Sequence, residues 1–403
     1  MFRLAVRNVF RHRGRTAITL AAIVFGVAGL ILSGGFVQDI LLQLGEAVIH
    51  SQSGHIQMSR VGFRTEGSRK PERYVIESPE PLIAQIAALP MVADVMARTS
   101  FSALLNNGRA DLAIVGEGID PEKESRLGTH VTVIAGRRLA ANDTNGVMLG
   151  QGVAKALNLT PGDRATLVTT TGAGAMNTVD IEIIGVFQSF SKDYDARVVK
   201  VPRSVADELT DSKGANTLVV SLQRTDDTET VAALLRDKFR GADMEVATWP
   251  ELNDFYDKTV TLYDRQFGVL QLIILVSVML SVANSVNMSI FERIPEFGTM
   301  RVLGNPTRSV VMLVASEALL LGVIGGALGV IVGAVLATTI SAIGIPMPPP
   351  TSSDLSYVAR IRFVPTVMVG AFLVGVFAAL VAGVLSAVRI ARIPIATALR
   401  KAT

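Results

Sequence analysis

The stretch Ile290-Phe-Glu-Arg-Ile-Pro-Glu-Phe-Gly-Thr-Met-Arg-Val-Leu-Gly304-Asn-Pro-Thr-Arg308 is a charged island between two long apolar runs. On its amino side, residues 266–291 contain no Asp, Glu, Lys or Arg, and on its carboxyl side residues 309–342 contain only Glu317. Each run exceeds the about 20 helical residues that cross a hydrocarbon layer of about 30 Å. The island is therefore predicted to be a short loop at one face of a membrane.

The composition of the 403-residue chain is that of an integral membrane protein. Hydrophobic residues make up 49% and charged residues 18%, which is too apolar for an ordinary soluble protein. The chain has no cysteine, which excludes disulfides and thiolate chemistry. The formal charge of +3 is small, and the arginines cluster beside the apolar runs. Membrane topology accounts for those arginines, so we do not infer nucleic-acid binding.

Four apolar segments are predicted to be transmembrane helices, at residues 16–38, 266–291, 309–342 and 363–388. Lys and Arg concentrate beside them in three places: the amino terminus, the island at 292–308 and the tail at 389–403. All three fall on one side of a four-helix topology, and the positive-inside rule assigns that side to the cytoplasm. The short loop at 343–362 then faces outward.

Residues 39–265 are predicted to form a large extracytoplasmic domain. Compact or alternating apolar runs predict strands at residues 55–59, 112–115, 164–169, 179–187, 197–201 and 217–222. Apolar residues at helical spacing predict helices at 79–89 and 231–239. The fold class is therefore a membrane protein with four transmembrane helices and a large α+β extracytoplasmic domain between the first and second.

Both connections into this domain are predicted to be rigid helical stalks. Thr248 and Glu251 have the spacing of a capping box, with a proline in the first turn, so a helix is predicted to start there. If that helix is continuous from Trp249 to Phe291, it is roughly 60 Å long, about twice the hydrocarbon thickness. Residues 39–49 similarly prolong the first span.

Residues 1–15 place apolar side chains on one helical face and arginines on another. They are predicted to form an amphipathic helix in the cytoplasmic interface. The alternative is the charged region of a cleaved signal peptide. The apolar run at 16–38 is longer than the roughly 7–15 residues typical of such peptides, and no A-x-A site follows it. The first span is therefore predicted to be an uncleaved anchor.

Small and polar residues within the spans indicate contacts between helices. Glycine lets helix backbones approach closely in lipid, and the predicted packing residues of the third span are Gly322, Gly325, Gly326, Gly329 and Gly333. A substrate-lining groove is the alternative interpretation of this stripe. Glu317 indicates either a function or a pair with an island or terminal arginine near the cytoplasmic interface. Asn284, Ser285 and Asn287 are predicted to make hydrogen bonds between helices.

No catalytic motif is present in the sequence. It lacks the G-x-x-x-x-G-K-[ST] phosphate loop and H-E-x-x-H, and no serine lies in G-x-S-x-G. The histidines are scattered, without metal-ligand spacing, at His12, His50, His55 and His130. We therefore expect a non-catalytic chain that has no metal site and no cofactor of its own.

The island and the third span resemble the permease signature of the FtsX/MacB-like ABC transporter superfamily. The runs that carry the resemblance are Glu292-Arg293-x-x-Glu296-Phe-Gly298-Thr-Met-Arg301-x-Leu-Gly304 and Glu317-Ala-Leu-Leu-Leu-Gly-Val-Ile-Gly-Gly-Ala-Leu-Gly329. Residues 7–16 and 391–400 are similar to the family's cytoplasmic ends, and residues 147–163 and 183–187 to its outer-domain core. Gly54-His-Ile-Gln57 is similar to the lipoprotein-release (LolC/LolE-like) branch.

The resemblance implies a dimer of permeases, the second protomer being the same or homologous, on a dimer of separate ATPase subunits that bind ATP and Mg. It also implies that the island is a coupling helix which docks on the ATPase. Pro295 departs from the charged or polar residue of the family pattern, which puts the start of that helix in question. The alternative is that the charges only anchor the loop at the lipid surface. The implied coupling residues are Glu292, Arg293, Glu296, Phe297, Gly298, Met300, Arg301, Leu303 and Gly304.

The expected function is that of a permease subunit in the bacterial inner membrane, which transmits motion from the ATPase to the outer domain. The resemblance at residues 54–57 favours release or export of lipoprotein or other lipid-like cargo. The alternatives are an FtsX-like, cargo-free regulator of a cell-wall hydrolase, and a MacB-like efflux permease that needs a periplasmic adaptor. A secondary transporter is disfavoured, because four spans with a large outer domain lack the inverted repeats expected there.

Overall fold

The structure is a computed structural model, and it describes residues 13–67, 70–293, 299, 304–349 and 357–391. The chain divides into two compact units. The membrane unit consists of Met1–Leu42, Thr259–Met347 and Val358–Thr403, and the outer unit consists of Gln43–Lys258 and Pro348–Tyr357. Residues 1–12 of the predicted amino-terminal helix, residues 294–298 and 300–303 of the island and residues 392–403 of the tail lie outside the described residues.

Four long helices account for the membrane unit. In chain order, the α-helices of the described residues are α1 (Arg13–Val48), α2 (Phe63–Glu66), α3 (Glu80–Ala87), α4 (Pro121–Leu127), α5 (Gln151–Leu157), α6 (Lys192–Asp195), α7 (Arg203–Thr210), α8 (Thr228–Lys238), α9 (Asp254–Glu292), α10 (Thr307–Ile343) and α11 (Pro365–Ala391). Of these, α1, α9, α10 and α11 are long and apolar enough to cross a membrane. A helix suits that environment because it satisfies its own backbone hydrogen bonds.

All four long helices of the membrane unit contribute to a shared buried aliphatic cluster. Its members include Ile23 on α1, Val282 on α9, Leu313 on α10 and Ala378 on α11. Two of these helices continue beyond the membrane unit, since the boundaries of the outer unit fall within α1 and α9. The 39 residues of α9 make it roughly 58 Å long, about twice the hydrocarbon thickness.

The outer unit is built on a sheet. In chain order, the strands of the described residues are β1 (Ile56–Ser59), β2 (Val92–Asn106), β3 (Asp111–Ile119), β4 (Thr132–Gly136), β5 (Gly146–Gly150), β6 (Arg164–Thr170), β7 (Met176–Gln188), β8 (Val198–Pro202), β9 (Thr217–Leu222), β10 (Glu245–Thr248), β11 (Ile345–Met347) and β12 (Tyr357–Ala359). The strand order is β10-β1-β9-β2-β3-β8-β5-β7-β4, and β6 pairs with β2 and β7.

The first lobe of the outer unit comprises β10-β1-β9-β2, and its paired strands are antiparallel. Helix α3 lies between β1 and β2 in the chain, and α8 lies between β9 and β10. This is the arrangement of a split β-α-β motif. Ile56 and Met58 on β1 and Leu235 on α8 are fully buried in its core.

The second lobe is inserted between β2 and β9. Strand β2 belongs to both lobes, because residues 92–98 pair with β9 and residues 99–106 pair with β3. A separate core fills this lobe, with Leu105, Leu149, Leu167 and Ile183 among its fully buried members. The long strand β2 thus joins the two cores through one continuous backbone.

The structure confirms the six predicted strands, at β1, β3, β6, β7, β8 and β9, and the two predicted helices, at α3 and α8. It adds four strands of the outer unit that the pattern does not predict, which are β2, β4, β5 and β10. Strand β2 is rich in Ala and Ser, which have little preference for strands. Strand β5 has Gly at both ends and is buried along its whole length, so it shows no alternation.

The predicted helix start at Trp249 is wrong, because α9 begins at Asp254. Thr248 ends strand β10, and its backbone N–H donates to the Glu251 carboxylate at 2.9 Å. The capping-box pair therefore closes a turn after the strand. Asn253 caps the helix instead, since its side-chain oxygen accepts a hydrogen bond from the backbone N–H of Tyr256 at 3.1 Å.

Candidate functional site

The predicted coupling segment, residues 292–304 of the island, runs from the last residue of α9 towards the start of α10. Glu292 is the last residue of α9 and is exposed, and Arg293 follows it and is buried. Gly304 has a φ of 92°, a backbone conformation that favours glycine, shortly before α10 begins. Glu296, Phe297, Gly298, Met300, Arg301 and Leu303 lie outside the described residues.

Glu317 of α10 is paired with Arg293. One guanidinium nitrogen of Arg293 donates to both carboxylate oxygens of Glu317, at 2.9 and 3.0 Å. The side chains are 10% and 14% exposed, so the pair is largely shielded from solvent. Two residues that are separated by the coupling segment in sequence are thus joined directly in space.

Contacts between α1 and α10 fix the level of Glu317 along the bundle. Gly325 lies against Ile23, and Gly329 lies against Val27, so both helices advance by one turn together and run parallel. Continuing this register by two turns places Glu317 level with Arg15. Arg15 directly precedes the apolar span of α1, which begins at Thr16, whereas Glu317 lies within the apolar span of α10, which begins at Arg308.

The glycine stripe of α10 packs against two neighbouring helices of the same chain. A Cβ atom added at Gly325 would lie 2.9 Å from the Ile23 Cβ, and one at Gly329 would lie 2.7 Å from the Val27 Cβ. Gly333 also faces α1, whereas Gly322 and Gly326 face α11. These distances are too short for a real Cβ, so only glycine allows this approach of the helices.

A hydrogen bond joins α1 and α9 at the level of the predicted polar residues. The Thr19 hydroxyl donates to the Ser285 hydroxyl. Asn284 is exposed and Asn287 is half-buried on the same stretch of α9. The structure therefore confirms the predicted hydrogen bond between helices at Ser285.

Three of the four histidines meet in the outer unit, where His130 joins His50 and His55 although it is distant from them in sequence. His55 Nδ1 accepts the backbone N–H of Leu222 at 3.2 Å, which leaves His55 Nε2 to donate to the Thr225 hydroxyl. That hydroxyl donates to Glu46, whose other oxygen lies 3.2 Å from His50 Nε2. The rings of His50 and His130 stack, with centroids 5.4 Å apart.

This histidine cluster is a hydrogen-bonded network. Within the described ranges, no group of three or more His, Cys, Asp or Glu is arranged to hold a metal ion. Both ring nitrogens of His55 take part in hydrogen bonds, and the Nε2 of His50 faces Glu46. The spacing of the histidines in sequence gives no signal of their convergence, because β1, a loop and a short helix bring them together.

His55 and His130 are predicted to destabilise the outer unit as the pH falls from about 6.5 towards 4, whereas His50, whose pKa is raised by its hydrogen bond to Glu46, acts in the opposite direction. Burial lowers the pKa of His55 from 6.5 to about 4, and burial also lowers the pKa of His130. Below pH 6.5 the unfolded chain binds protons that these folded-state histidines do not, so each contribution is present above pH 6.5 and lost on acidification. For His55 the loss approaches about 3 kcal/mol.

Urea unfolding of the full chain at pH 7 and at pH 4.5 measures this loss. The matched variant is His55→Asn, whose amide can still accept a hydrogen bond but does not titrate. We expect its stability to depend less steeply on pH between 6.5 and 4 than that of the wild type. Equal pH slopes in the two proteins would contradict the assignment to His55.

A second buried network joins Arg98, at the junction of the two lobes on β2, to residues of the second lobe, which are Glu117, Glu124, Lys200 and Tyr194. Arg98 donates to Glu124 at 3.1 Å, and Lys200 donates to the other oxygen of Glu124. Arg98 also lies 3.7 Å from Glu117, which accepts the Tyr194 hydroxyl at 2.7 Å. Two cations face two carboxylates, so the network is neutral.

The electrostatics of this network keep Glu124 ionised despite its burial. Burial alone would raise the pKa of Glu124, but the charges of Lys200 and Arg98 outweigh it and lower that pKa to about 2. Arg98 also donates to the backbone carbonyl of Gln52 at 2.6 Å. It therefore ties the π-helical turn Ile49–Ser53, which follows α1, to the second lobe.

A groove of about 630 Å³ opens where β2 passes from one lobe to the other. Its volume is in the range of ligand pockets, about 300–1,000 Å³. Phe101, Leu104 and Met176 form part of its apolar lining, and the polar lining includes Ser102 and Thr169. The groove can accept a ligand with both apolar and hydrogen-bonding groups.

The segment Gly54-His-Ile-Gln57 has a structural role in the outer unit. Gly54 has a φ of 65°, and a Cβ atom at this position would lie 2.4 Å from a Val219 methyl carbon. Ile56 is fully buried, and the Gln57 side chain donates to the Ser53 carbonyl at 3.0 Å. The segment thus fixes the start of β1 by contacts within the chain.

Comparison with known proteins shows matches along most of the chain. Residues 16–238 match the family described as MacB-like periplasmic core domain, and residues 268–395 match the FtsX-like permease C-terminal family. The chain is similar to an uncharacterized ABC transporter permease, YvrN, of Bacillus subtilis, at 23% identity over 86% of this chain and 88% of that protein. It is also 23% identical to the lipoprotein-releasing system transmembrane protein LolC of Neisseria meningitidis, over 80% and 76% of the two chains.

Solved structures resemble the outer unit. The periplasmic region of MacB from Actinobacillus actinomycetemcomitans aligns with a TM-score of 0.37 at 17% identity, covering 53% of this chain and 95% of that one. The extracellular domain of the transporter YknZ from Gram-positive bacteria aligns with a TM-score of 0.35 at 17% identity, covering 48% and 100%.

Proposed function

We propose a function from the following premise: the chain belongs to the MacB-like periplasmic core domain family and is a permease subunit of an ABC transporter of the FtsX/MacB type. It is a multi-pass membrane protein whose large α+β domain, between the first and second long helices, lies on the periplasmic or extracellular side. Permeases of this kind are typically non-catalytic, and an ABC transporter permease implies an ATPase partner.

The proposed mechanism is transmission of movement from a separate ATPase dimer to the outer unit. The ATPase binds the coupling segment, residues 292–304, of each of two permease protomers. Helices α1 and α9 then act as stalks. The observation that supports this is the continuity of both helices across the boundary between the two units, because a continuous helix transmits displacement along its axis.

Replacing Glu296 and Arg301 together by Ala is expected to uncouple ATP hydrolysis from movement of the outer unit. The reason is that the two side chains supply the charged part of the proposed contact with the ATPase, while the apolar spans stay unchanged. ATP hydrolysis and the fluorescence of a label on the outer unit are measured together in the reconstituted complex. We expect hydrolysis without the label response.

The matched control removes the same residue types elsewhere, by replacing Arg164 and Glu182 with Ala. These two residues pair across β6 and β7, are exposed and lie in the outer unit. The control is expected to retain coupling. Wild-type coupling in the Glu296 and Arg301 double variant would refute the role of the segment.

The proposed cargo is a lipoprotein or another lipid-like molecule, which the complex releases or exports. The similarity to LolC over 80% of this chain supports the proposal, as does the mixed lining of the groove on β2. Mass spectrometry of the purified complex tests it by identifying co-purified molecules. Bound lipid or lipoprotein supports it, whereas a bound cell-wall hydrolase or a periplasmic adaptor supports an FtsX-like regulator or a MacB-like efflux system.

A further inference from the structure

An ion pair joins the beginning of the coupling segment, directly after α9, to helix α10. The chain leaves α9 at Glu292 and enters α10 at Thr307. Arg293, the first residue after α9, reaches back to Glu317, which lies about 15 Å along α10 from its start. The pair therefore joins the exit from one helix to a point well inside the next.

We propose that Arg293 and Glu317 form a positioning clamp, which fixes the end of α9 relative to α10 on either side of the coupling segment. This inference rests on the proposed function, because it assigns the clamp to the segment that binds the ATPase. Neither residue needs to touch the ATPase for the clamp to act. The clamp makes α9 and α10 move together when the ATPase displaces the coupling segment.

The shielding of the pair supports a clamp. Because both side chains are at most 14% exposed, water screens their attraction only weakly. One nitrogen contacts both oxygens, which also restricts the direction of approach. An exposed ion pair contributes little to holding two helices together, because water solvates both charges when the pair opens. Opening a desolvated pair costs more free energy, because it leaves buried charges without a partner.

The first turns of α10 support the same conclusion. Residues 307–316 are the turns of α10 that lie between the coupling segment and Glu317 in the chain. Val310, Leu313 and Val314 in these turns are buried in the cluster that also contains Val286 of α9. The first turns of α10 thus share a buried cluster with α9, and the ion pair adds a polar contact between α10 and the end of α9.

Spin labels at the two ends of the segment test the clamp in the full chain. The chain has no cysteine, so Phe291→Cys and Asn305→Cys, at exposed positions, introduce the only two thiols. The distance distribution between the labels is measured in nanodiscs for the otherwise unchanged chain, for Glu317→Gln and for the charge swap Arg293→Glu with Glu317→Arg. We expect Glu317→Gln to broaden the distribution and the swap to narrow it again.

The control is Ser316→Ala, whose hydroxyl bonds only within its own helix turn, to the Leu313 carbonyl. It is expected to leave the distribution unchanged. The proposal is overturned if Glu317→Gln keeps the distribution of the unchanged chain, or if the swap stays as broad as Glu317→Gln. If Glu317→Gln does not fold, Arg293→Gln provides the same comparison.

Adding the partner ATPase separates this proposal from the proposed function. Protection of the Asn305→Cys thiol by the ATPase reports that the ATPase binds the coupling segment. A clamp that acts in coupling is indicated if Glu317→Gln loses coupled ATP turnover and the charge swap recovers it. Absence of protection in the Asn305→Cys chain, which is otherwise unchanged, would refute ATPase binding at the segment, while the label distances still decide whether the clamp exists. Protection with equal coupling in all variants would refute the clamp alone.

Discussion

Replacing Glu124 by Ala is expected to lower the free energy of unfolding of the outer unit by about 3–5 kcal/mol. Glu124 accepts hydrogen bonds from both Arg98 and Lys200, and these three side chains are buried. Without Glu124, only Glu117 remains to balance the two cations. A buried charge without a counter-charge costs far more than the shortened side chain itself.

The fluorescence of Trp249 can follow this unfolding in the full chain. Trp249 is the only tryptophan, it lies in the outer unit, and it is 7% exposed. The matched control is Glu122→Ala on the same short helix α4, where the carboxylate is exposed. We expect the control to shift the free energy of unfolding by at most about 0.5 kcal/mol.

A paired replacement distinguishes lost charge balance from lost packing. Glu124→Leu together with Lys200→Met removes one charge of each sign and leaves Arg98 facing Glu117. This double variant is expected to be more stable than Glu124→Leu alone, because replacing a whole buried ion pair by apolar groups is often neutral. The electrostatic explanation fails if the two variants unfold at the same urea concentration.

The parts of the fold that follow from sequence are those with a local signal. Strand β9, Thr217–Leu222, contains a β-branched run and is predicted with its full bounds. Strand β5, Gly146–Gly150, is buried on both faces, so the alternation that marks a strand is absent. The sequence predicts the start of α9 too early, because Glu251 closes a turn with Thr248 through the same hydrogen bond that a capping box uses.

The parts of the candidate site that need the structure are those that depend on long-range contacts. Glu317 is conspicuous in sequence because a carboxylate within an apolar run is costly, but only the packing identifies Arg293 as its partner. Arg98 and Lys200 carry no such signal, since a charged residue in a domain of mixed composition is usually exposed. The histidine cluster likewise forms only when the chain folds.

Replacing both Gly325 and Gly329 by Leu is expected to destabilise the membrane unit by several kcal/mol, since overpacking typically costs about 1–3 kcal/mol per site. A Cβ atom at either position would already lie within 3 Å of a side chain on α1. Ile23 and Val27 branch at the Cβ atom, so they cannot move aside without a shift of the helix. We expect a large loss of monodisperse full chain after heating in detergent.

Gly370→Leu on α11 is the control that separates crowding from the loss of a glycine as such. Among the described residues, no atom lies within 4 Å of a Cβ atom added at Gly370, and the position is in an apolar membrane helix. The added Leu therefore meets open space, and a helix with Leu is more favourable than one with Gly. We expect Gly370→Leu to tolerate heating as well as the wild type does. If the Gly325 and Gly329 double variant also tolerated heating as the wild type does, the glycines would not be needed for close packing of α10 against α1. The alternative interpretation, a substrate-lining groove, would then gain support.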